Sequence, residues 1–147
     1  GVALGPSEEY VLVNETAGAK IKRLWLEGPN AGKSDYLIDV LPGFPDNISF
    51  NGVDTFWVAL PGIRQPIIDM LANKPFIRKL IGGLPLELIM PKNTHAFILG
   101  INPSGEITHN FQHKESLIKT LTSVNQWDNL LLIGNLDSDF IALLELN

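Results

Sequence analysis

The sequence of 147 residues contains no cysteine. A disulfide framework and a thiolate metal site are both excluded. Charge is sparse, at 18% of residues, and the balance is acidic, with a formal net charge of -5. A nucleic-acid partner wants a basic face, and none is available, so no nucleic acid is expected. No apolar run approaches the roughly 18 residues that mark a membrane-spanning helix. HExxH, GxSxG and P-loop patterns are also missing. "GPNAGKS" echoes a phosphate loop, but its glycines are too close together and the loop does not open a helix. What remains is a chain with 45% hydrophobic residues, 13 glycines and 10 prolines. That composition fits a globular domain rich in turns.

The apolar runs are short and separated by turn residues. "GVAL", "EYVLVNET", "AKIKRLWLEG", "SDYLIDVL", "NISFN" and "TFWVAL" recur at about ten-residue spacing, which predicts antiparallel all-β structure. In "KIKRLWLEG" the apolar residues do not keep one face, which predicts a bulge or two-sided burial. "HAFILGINPSGEITHNFQH" reads as a hairpin turning at "NPSG". "LTSVNQWDNLLLIGNLDSDFIALLELN" reads as three more strands. "LLLIG" is nearly all apolar, as in a strand buried on both faces. Residues 65–85, "QPIIDMLANKPFIRKLIGGLP", break the pattern. Their apolar spacing is helical and Pro75 interrupts it, so two short helices or one kinked helix are predicted as an insertion.

A loose internal repeat joins these runs. Three units share a short strand, a turn, an apolar strand and a further strand. Self-similarity of this kind in an all-β chain suggests propeller blades. Two to three units fit in residues 1–147, and a closed propeller needs about four to eight. The chain is therefore expected to be part of a larger ring, completed by remaining blades of the same protein or by a companion chain.

The candidate chemistry lies in "LPGFPDNISF". Asp46 and Asn47 are poor strand formers placed where a strand begins. They are good turn formers, and they are also good oxygen ligands for hard metals. Both readings stand on the residues alone. His95, His109 and His113 read as structural. "DSDF" at 137–140 reads as a turn. Trp25, Trp57 and Trp127 read as core or inter-blade packing. Two glycosylation sequons occur, Asn14-Glu15-Thr16 and Asn47-Ile48-Ser49.

The stretches "RLWLEGP", "LPGFPDNI", "PIIDMLANKPFIRKLIGGLP" and "LTSVNQWDNLLLIGNLDSDFIALLEL" resemble the strictosidine synthase-like family. That family belongs to the broader group of six-bladed propellers that includes paraoxonases and gluconolactonases, and the resemblance is strongest to its plant strictosidine synthase-like and adipocyte plasma-membrane-associated branches. It implies an all-β fold of antiparallel meander blades, with residues 1–147 as the last two to three. In paraoxonases an Asp-Asn pair before such a strand ligates calcium in the central tunnel, and Asp46 and Asn47 stand at the matching positions. The resemblance thus implies calcium, and ester or lactone hydrolysis, in the complete protein. A further family ligand precedes "GVAL", and the paraoxonase histidine dyad lies on earlier blades, so residues 1–147 alone are expected to be inactive. A non-catalytic propeller binding a small molecule or partner is the alternative. The catalytic glutamate of strictosidine synthase falls at Thr122, which cannot act as a base, so Pictet–Spengler condensation is the least favoured activity. The family's secretory route implies the vacuole, endoplasmic reticulum or extracellular space. On that reading Asn14 is the glycan acceptor, provided it lies on an outer turn.

Overall fold

The structure is a computed structural model and describes residues 1–64, 95–114, 116–118 and 120–146. The helical insertion predicted over 65–85 lies outside the described residues.

The fold is all-β and propeller-like, built from antiparallel meander sheets. The first sheet takes the order β1 (Val2–Leu4), β2 (Tyr10–Glu15), β3 (Lys20–Trp25) and β4 (Ser34–Ile38). The second contains β6 (Ile48–Phe50), β7 (Phe56–Ala59), β9 (Ala96–Ile101) and β10 (Ile107–His113), with β6 at one edge and β10 at the other. The third is β11 (Leu121–Trp127), β12 (Leu130–Asn135) and β13 (Ala142–Glu145). A small separate ribbon pairs β5 (Gly43–Phe44) with β8 (Gly62–Ile63). The three predicted units match the three large sheets. The third has three strands where the others have four.

The predicted local features have visible causes. β3 and β4 slip register between Ile21 and Lys22, but the residue left over is Leu37 of β4, so the bulge expected in "KIKRLWLEG" falls on its partner strand, and β3 keeps an unbroken register with β2. In "NPSG", the Asn102 Oδ1 accepts from the Ser104 and Glu106 amides, and Gly105 takes φ 92°. This is an Asx-type turn closed by a residue that needs left-handed backbone. "GPNAGKS" closes the β3–β4 hairpin, as a strand connection and not a phosphate cradle.

Two cores lie on either side of the second sheet. Phe56, Val58 and Leu60 pack toward the first sheet with Tyr10, Leu12, Ile21 and Leu99. Trp57 and Ala59 point the other way and pack with Val124, Leu131 and Ile133 of the third. β7 is therefore buried on both faces, and alternation of its side chains feeds two cores at once. "LLLIG" differs from its expectation. Leu131 and Ile133 are buried, but Leu130 and Leu132 are only partly covered, because they face away from the second sheet.

The edge strands β1, β6 and β11 lie side by side, with β6 between the other two. β6 and β11 are stitched by side chains at every second residue. Asn47 Nδ2 donates to the Thr122 carbonyl at 2.9 Å, Ser49 Oγ to the Val124 carbonyl at 2.6 Å, and Asn51 Nδ2 to Gln126 Oε1 at 3.0 Å. The period of two is that of one strand face.

Candidate functional site

The loop "LPGFPDN" delivers Asp46 and Asn47 to the start of β6. The β5–β8 ribbon holds its first half, and the Arg64 amide donates to the Pro42 carbonyl. Its second half is tied to β7. The Asp46 amide donates to the Ala59 carbonyl at 2.9 Å, and the Ala59 amide to the Asn47 carbonyl at 3.1 Å. The main chain of the pair is thus fixed before any side chain is considered. This explains how two poor strand formers start a strand: their backbone groups are already paired with β7.

The neighbouring sheets close around the pair. On one side, the Asn47 amide and its Nδ2 both reach the Thr122 carbonyl. On the other, Gly1 lies against the main chain of Asp46 and Asn47. A Cβ at Gly1 would stand 2.6 Å from Asn47 Cα and 2.7 Å from the Asp46 carbonyl oxygen. Only a residue without a side chain permits that approach. Asn14 of β2 completes the arrangement by donating from Nδ2 to the same Asp46 carbonyl at 2.8 Å.

The free oxygens are what give this place chemical interest. The Asp46 carboxylate, half-buried, has no hydrogen bond or ion pair among the described residues. Asn47 Oδ1 has no donor there either. Asn14 is 9% exposed, and its Oδ1 is buried with no hydrogen-bond partner. An unsatisfied buried carbonyl costs about 1–3 kcal/mol. One carboxylate and two amide oxygens are hard donors of the kind calcium selects. They are fewer than the roughly six to eight that calcium takes. Among the described residues no group of three or more His, Cys, Asp or Glu could hold a metal.

A groove of about 690 Å³ runs past β6 from Ile48 to Gly52, beginning one residue beyond Asn47. Leu4, Ser7, Glu8, Ser49, Phe50 and Asn125 contribute to its walls. Ser7 and Glu8 both hold left-handed backbone, at φ 53° and 60°. Such strain in non-glycine residues costs about 1 kcal/mol or more each and clusters at functional places.

The other sequence candidates fall elsewhere. Asn14 is not on an outer turn. It lies within β2, and the nitrogen that would carry a glycan is buried and donating to Asp46. The glycosylation reading of Asn14 is therefore corrected. Asn47 has the same obstacle, since its Nδ2 is bonded to Thr122. His95 contacts Gln112, and His109 contacts Thr108 while its ring packs at a tilt against Trp57 at 5.0 Å and Phe111 at 5.9 Å. Trp57 is a core residue whose Nε1 donates to Gln126 at 2.7 Å, and Trp25 packs edge-on to Tyr10 at 5.2 Å. Trp127 is not part of either core. It is 70% exposed, on the face of β11 turned away from the second sheet. In "DSDF", Asp137 accepts from Thr120 Oγ1 at 2.6 Å, which suits a turn.

The contact of Asn14 with Asp46 was missed in the sequence, although a signal was present. In "YVLVN", Tyr10, Leu12 and Asn14 share one face by the period of two, and that face is the buried one. A polar residue there needs a partner or a ligand.

No family model matches the chain. Curated proteins do. Adipocyte plasma membrane-associated protein of Rattus norvegicus is 33% identical over 153 residues, covering 99% of this chain and 41% of that protein. The protein of the same name from Salmo salar is 32% identical over 154 residues, covering 100% of this chain and 37% of its own length. Protein strictosidine synthase-like 10 of Arabidopsis thaliana is 34% identical over 156 residues, covering 99% of this chain and 41% of that protein. The chain spans about two fifths of the length of these curated relatives.

Proposed function

The chain belongs to the strictosidine synthase-like family, and from that membership we propose that the complete protein is a calcium-dependent, ester- or lactone-hydrolase-like six-bladed propeller. Residues 1–147 supply two to three of its blades. The remaining blades come from the same protein or from a companion chain, and they bring the missing ligands. The single observation that carries this reading is the unpartnered Asp46 carboxylate beside Asn47, at the start of an innermost strand.

Asp46 and Asn47 would hold the cation. Bound there, calcium supplies a Lewis acid that polarises a carbonyl and stabilises an oxyanion. The residues of this chain do the positioning. The Thr122 carbonyl fixes the Asn47 side chain, and the Ala59 carbonyl fixes the Asp46 main chain. The groove that adjoins Asn47 gives a small ester room, with Leu4 and Phe50 as apolar wall and Ser49 and Asn125 as polar contacts.

The second reading is a propeller that binds a small molecule without turning it over. It is favoured by the groove, whose lining carries one carboxylate, Glu8, and no histidine. Condensation of the strictosidine synthase kind is not proposed, because Thr122 has no useful base and its carbonyl is already engaged by Asn47. A secretory location is proposed with the family. It is compatible with the relative whose name places it at the plasma membrane. Among the described residues no helix is long and apolar enough to cross a membrane.

The test is made on the complete protein. Calcium titration should show binding that Asp46→Asn weakens, with the fold retained by circular dichroism. Hydrolysis of an aryl ester that EDTA abolishes and calcium restores supports the hydrolase. Calcium binding with no hydrolysis supports the second reading. An unchanged calcium affinity in Asp46→Asn removes the metal assignment.

A further inference from the structure

Asn14 is a polar residue on the buried face of β2, in line with Tyr10 and Leu12. One half of its amide is satisfied, by the 2.8 Å bond from Nδ2 to the Asp46 carbonyl. The other half is not. Oδ1 is buried and meets no donor. Native proteins rarely leave such an atom orphaned, and where they do an unfilled water or ion position is a leading cause. The two atoms belong to one planar amide, so the orphan oxygen lies next to the main chain of Asp46. The Asp46 carboxylate and Asn47 Oδ1, both without donors, belong to the same turn of chain.

A purely structural asparagine does not account for this pattern. If the only task were to hold the Asp46 carbonyl, the unsatisfied oxygen would be a standing cost of about 1–3 kcal/mol. A glycan does not account for it either, because the nitrogen is buried and bonded. A hydrated cation at Asp46 and Asn47 accounts for both halves. Its water donates to Oδ1, and Nδ2 keeps the Asp46 main chain in place. Groups that orient metal ligands from the next layer are worth about 10–100-fold in affinity.

We propose that Asn14 is a positioning residue of the Asp46–Asn47 cation site, with Nδ2 fixing the Asp46 main chain and Oδ1 accepting from a cation-bound water. The inference rests on the metal reading above and adds to it a residue from a different sheet. It also assigns the orphan oxygen a ligand class, a water held by a divalent cation.

The experiment uses the complete protein and calcium itself as the probe. Calcium affinity and the calcium-induced rise in Tm are measured for wild type, Asn14→Ala, Asn14→Asp and Asp46→Asn. Asn14→Ala should weaken calcium binding about 10-fold or more. It should also shrink the rise in Tm. Asn14→Asp keeps an acceptor and should bind calcium more tightly than Asn14→Ala. A merely structural role would lower Tm equally in EDTA and in calcium and leave affinity unchanged. If Asn14→Ala binds as wild type does while Asp46→Asn does not, the inference is overturned and the metal site stands. If Asn14→Asp binds no better than Asn14→Ala, the role of Oδ1 is overturned. If wild type shows no calcium response at all, it is the metal reading that has failed.

Discussion

Asn47 donates twice to one atom. Its main-chain amide, at 3.2 Å, and its side-chain Nδ2, at 2.9 Å, both reach the carbonyl oxygen of Thr122, 75 residues away. The contact joins the first residue before β6 to the second residue of β11. It fixes the third sheet relative to the second at the end where Asp46 lies. The same offset returns at Ser49 with Val124 and at Asn51 with Gln126. β6 and β11 are edge strands of their sheets, so each has one side without a ladder partner. Here side chains take the place of that ladder.

Ser49→Ala should loosen this join without touching either core. The variant removes the 2.6 Å bond to the Val124 carbonyl. A lost side-chain bond of this kind costs about 1 kcal/mol. A thermal melt of the complete protein should show a Tm lowered by a few degrees, with calcium affinity unchanged. A Tm equal to wild type would mean that water replaces the hydroxyl.

Trp57 carries a larger share. Its ring fills the core between the second and third sheets, and its Nε1 shares Gln126 Oε1 with Asn51. Trp57→Phe keeps most of the apolar contact and loses one bond, so about 1–2 kcal/mol is expected. Trp57→Ala opens a cavity and should cost about 3–5 kcal/mol. Denaturant unfolding of the two variants separates packing from hydrogen bonding. Equal losses would mean that the ring volume contributes little.

The strand layout was legible because its causes are local. Short apolar runs, period-two alternation and turn residues such as "NPSG" act within a few positions. The bulge was not, because its extra residue, Leu37, lies on β4 and only the pairing of the two strands reveals it. The candidate pair was legible as chemistry, since Asp46 and Asn47 break the strand pattern where they stand. Its surroundings were not. Gly1, Asn14 and Thr122 meet the pair only through the packing of three sheets, and no spacing in the sequence encodes that meeting. Asn14 was read as a glycan carrier because a sequon is visible and a tertiary partner is not. Trp127 was read as core or inter-blade packing, and its strand turns it away from the second sheet, which leaves the inter-blade alternative.

Gly1→Val tests how closely β1 must approach the pair. The new side chain would collide with main-chain atoms of Asp46 and Asn47, which cannot move aside as a flexible side chain can. Displacing them strains the bonds to Ala59 and Thr122. The complete variant protein should lose both stability and calcium affinity. Retention of calcium affinity at the wild-type level would show that β1 yields instead of the pair.

The ion pair between β3 and β4, on the face of the first sheet that carries Tyr10 and Trp25, predicts a small acid response. Arg23 Nε donates to Asp35 Oδ1 at 2.9 Å and its NH2 group to Oδ2 at 2.6 Å. The hydrogen bonds from Arg23 hold the Asp35 carboxyl below its usual range. A lowered folded pKa means that the pair stabilises above the unfolded carboxyl value, and that this is lost as pH falls through the folded one. The side chains are 17% and 48% exposed, so solvent screening limits the effect to about 0.5 kcal/mol. Asp35→Asn should lower Tm slightly at neutral pH, and the deficit should shrink in acid as Asp35 itself takes up its proton. A deficit that does not change with pH would assign the loss to packing.

The last prediction concerns what covers the two outer sheets. On the first, Val2, Leu4, Val13 and Leu24 share one face in register and are 64%, 47%, 37% and 39% exposed. On the third, Trp127 and Leu143, both on the face turned away from the second sheet, are 70% and 63% exposed. Apolar faces of this extent mark surfaces that meet another protein element. A meander blade buries such a face against its neighbour, so residues 1–147 expressed alone should associate or bind a hydrophobic dye. Val2→Lys with Leu143→Lys should reduce both by adding charge to each face. Sedimentation of the 147-residue chain decides the matter. A monomer with a sharp cooperative melt and no dye binding would show that neither face needs a partner.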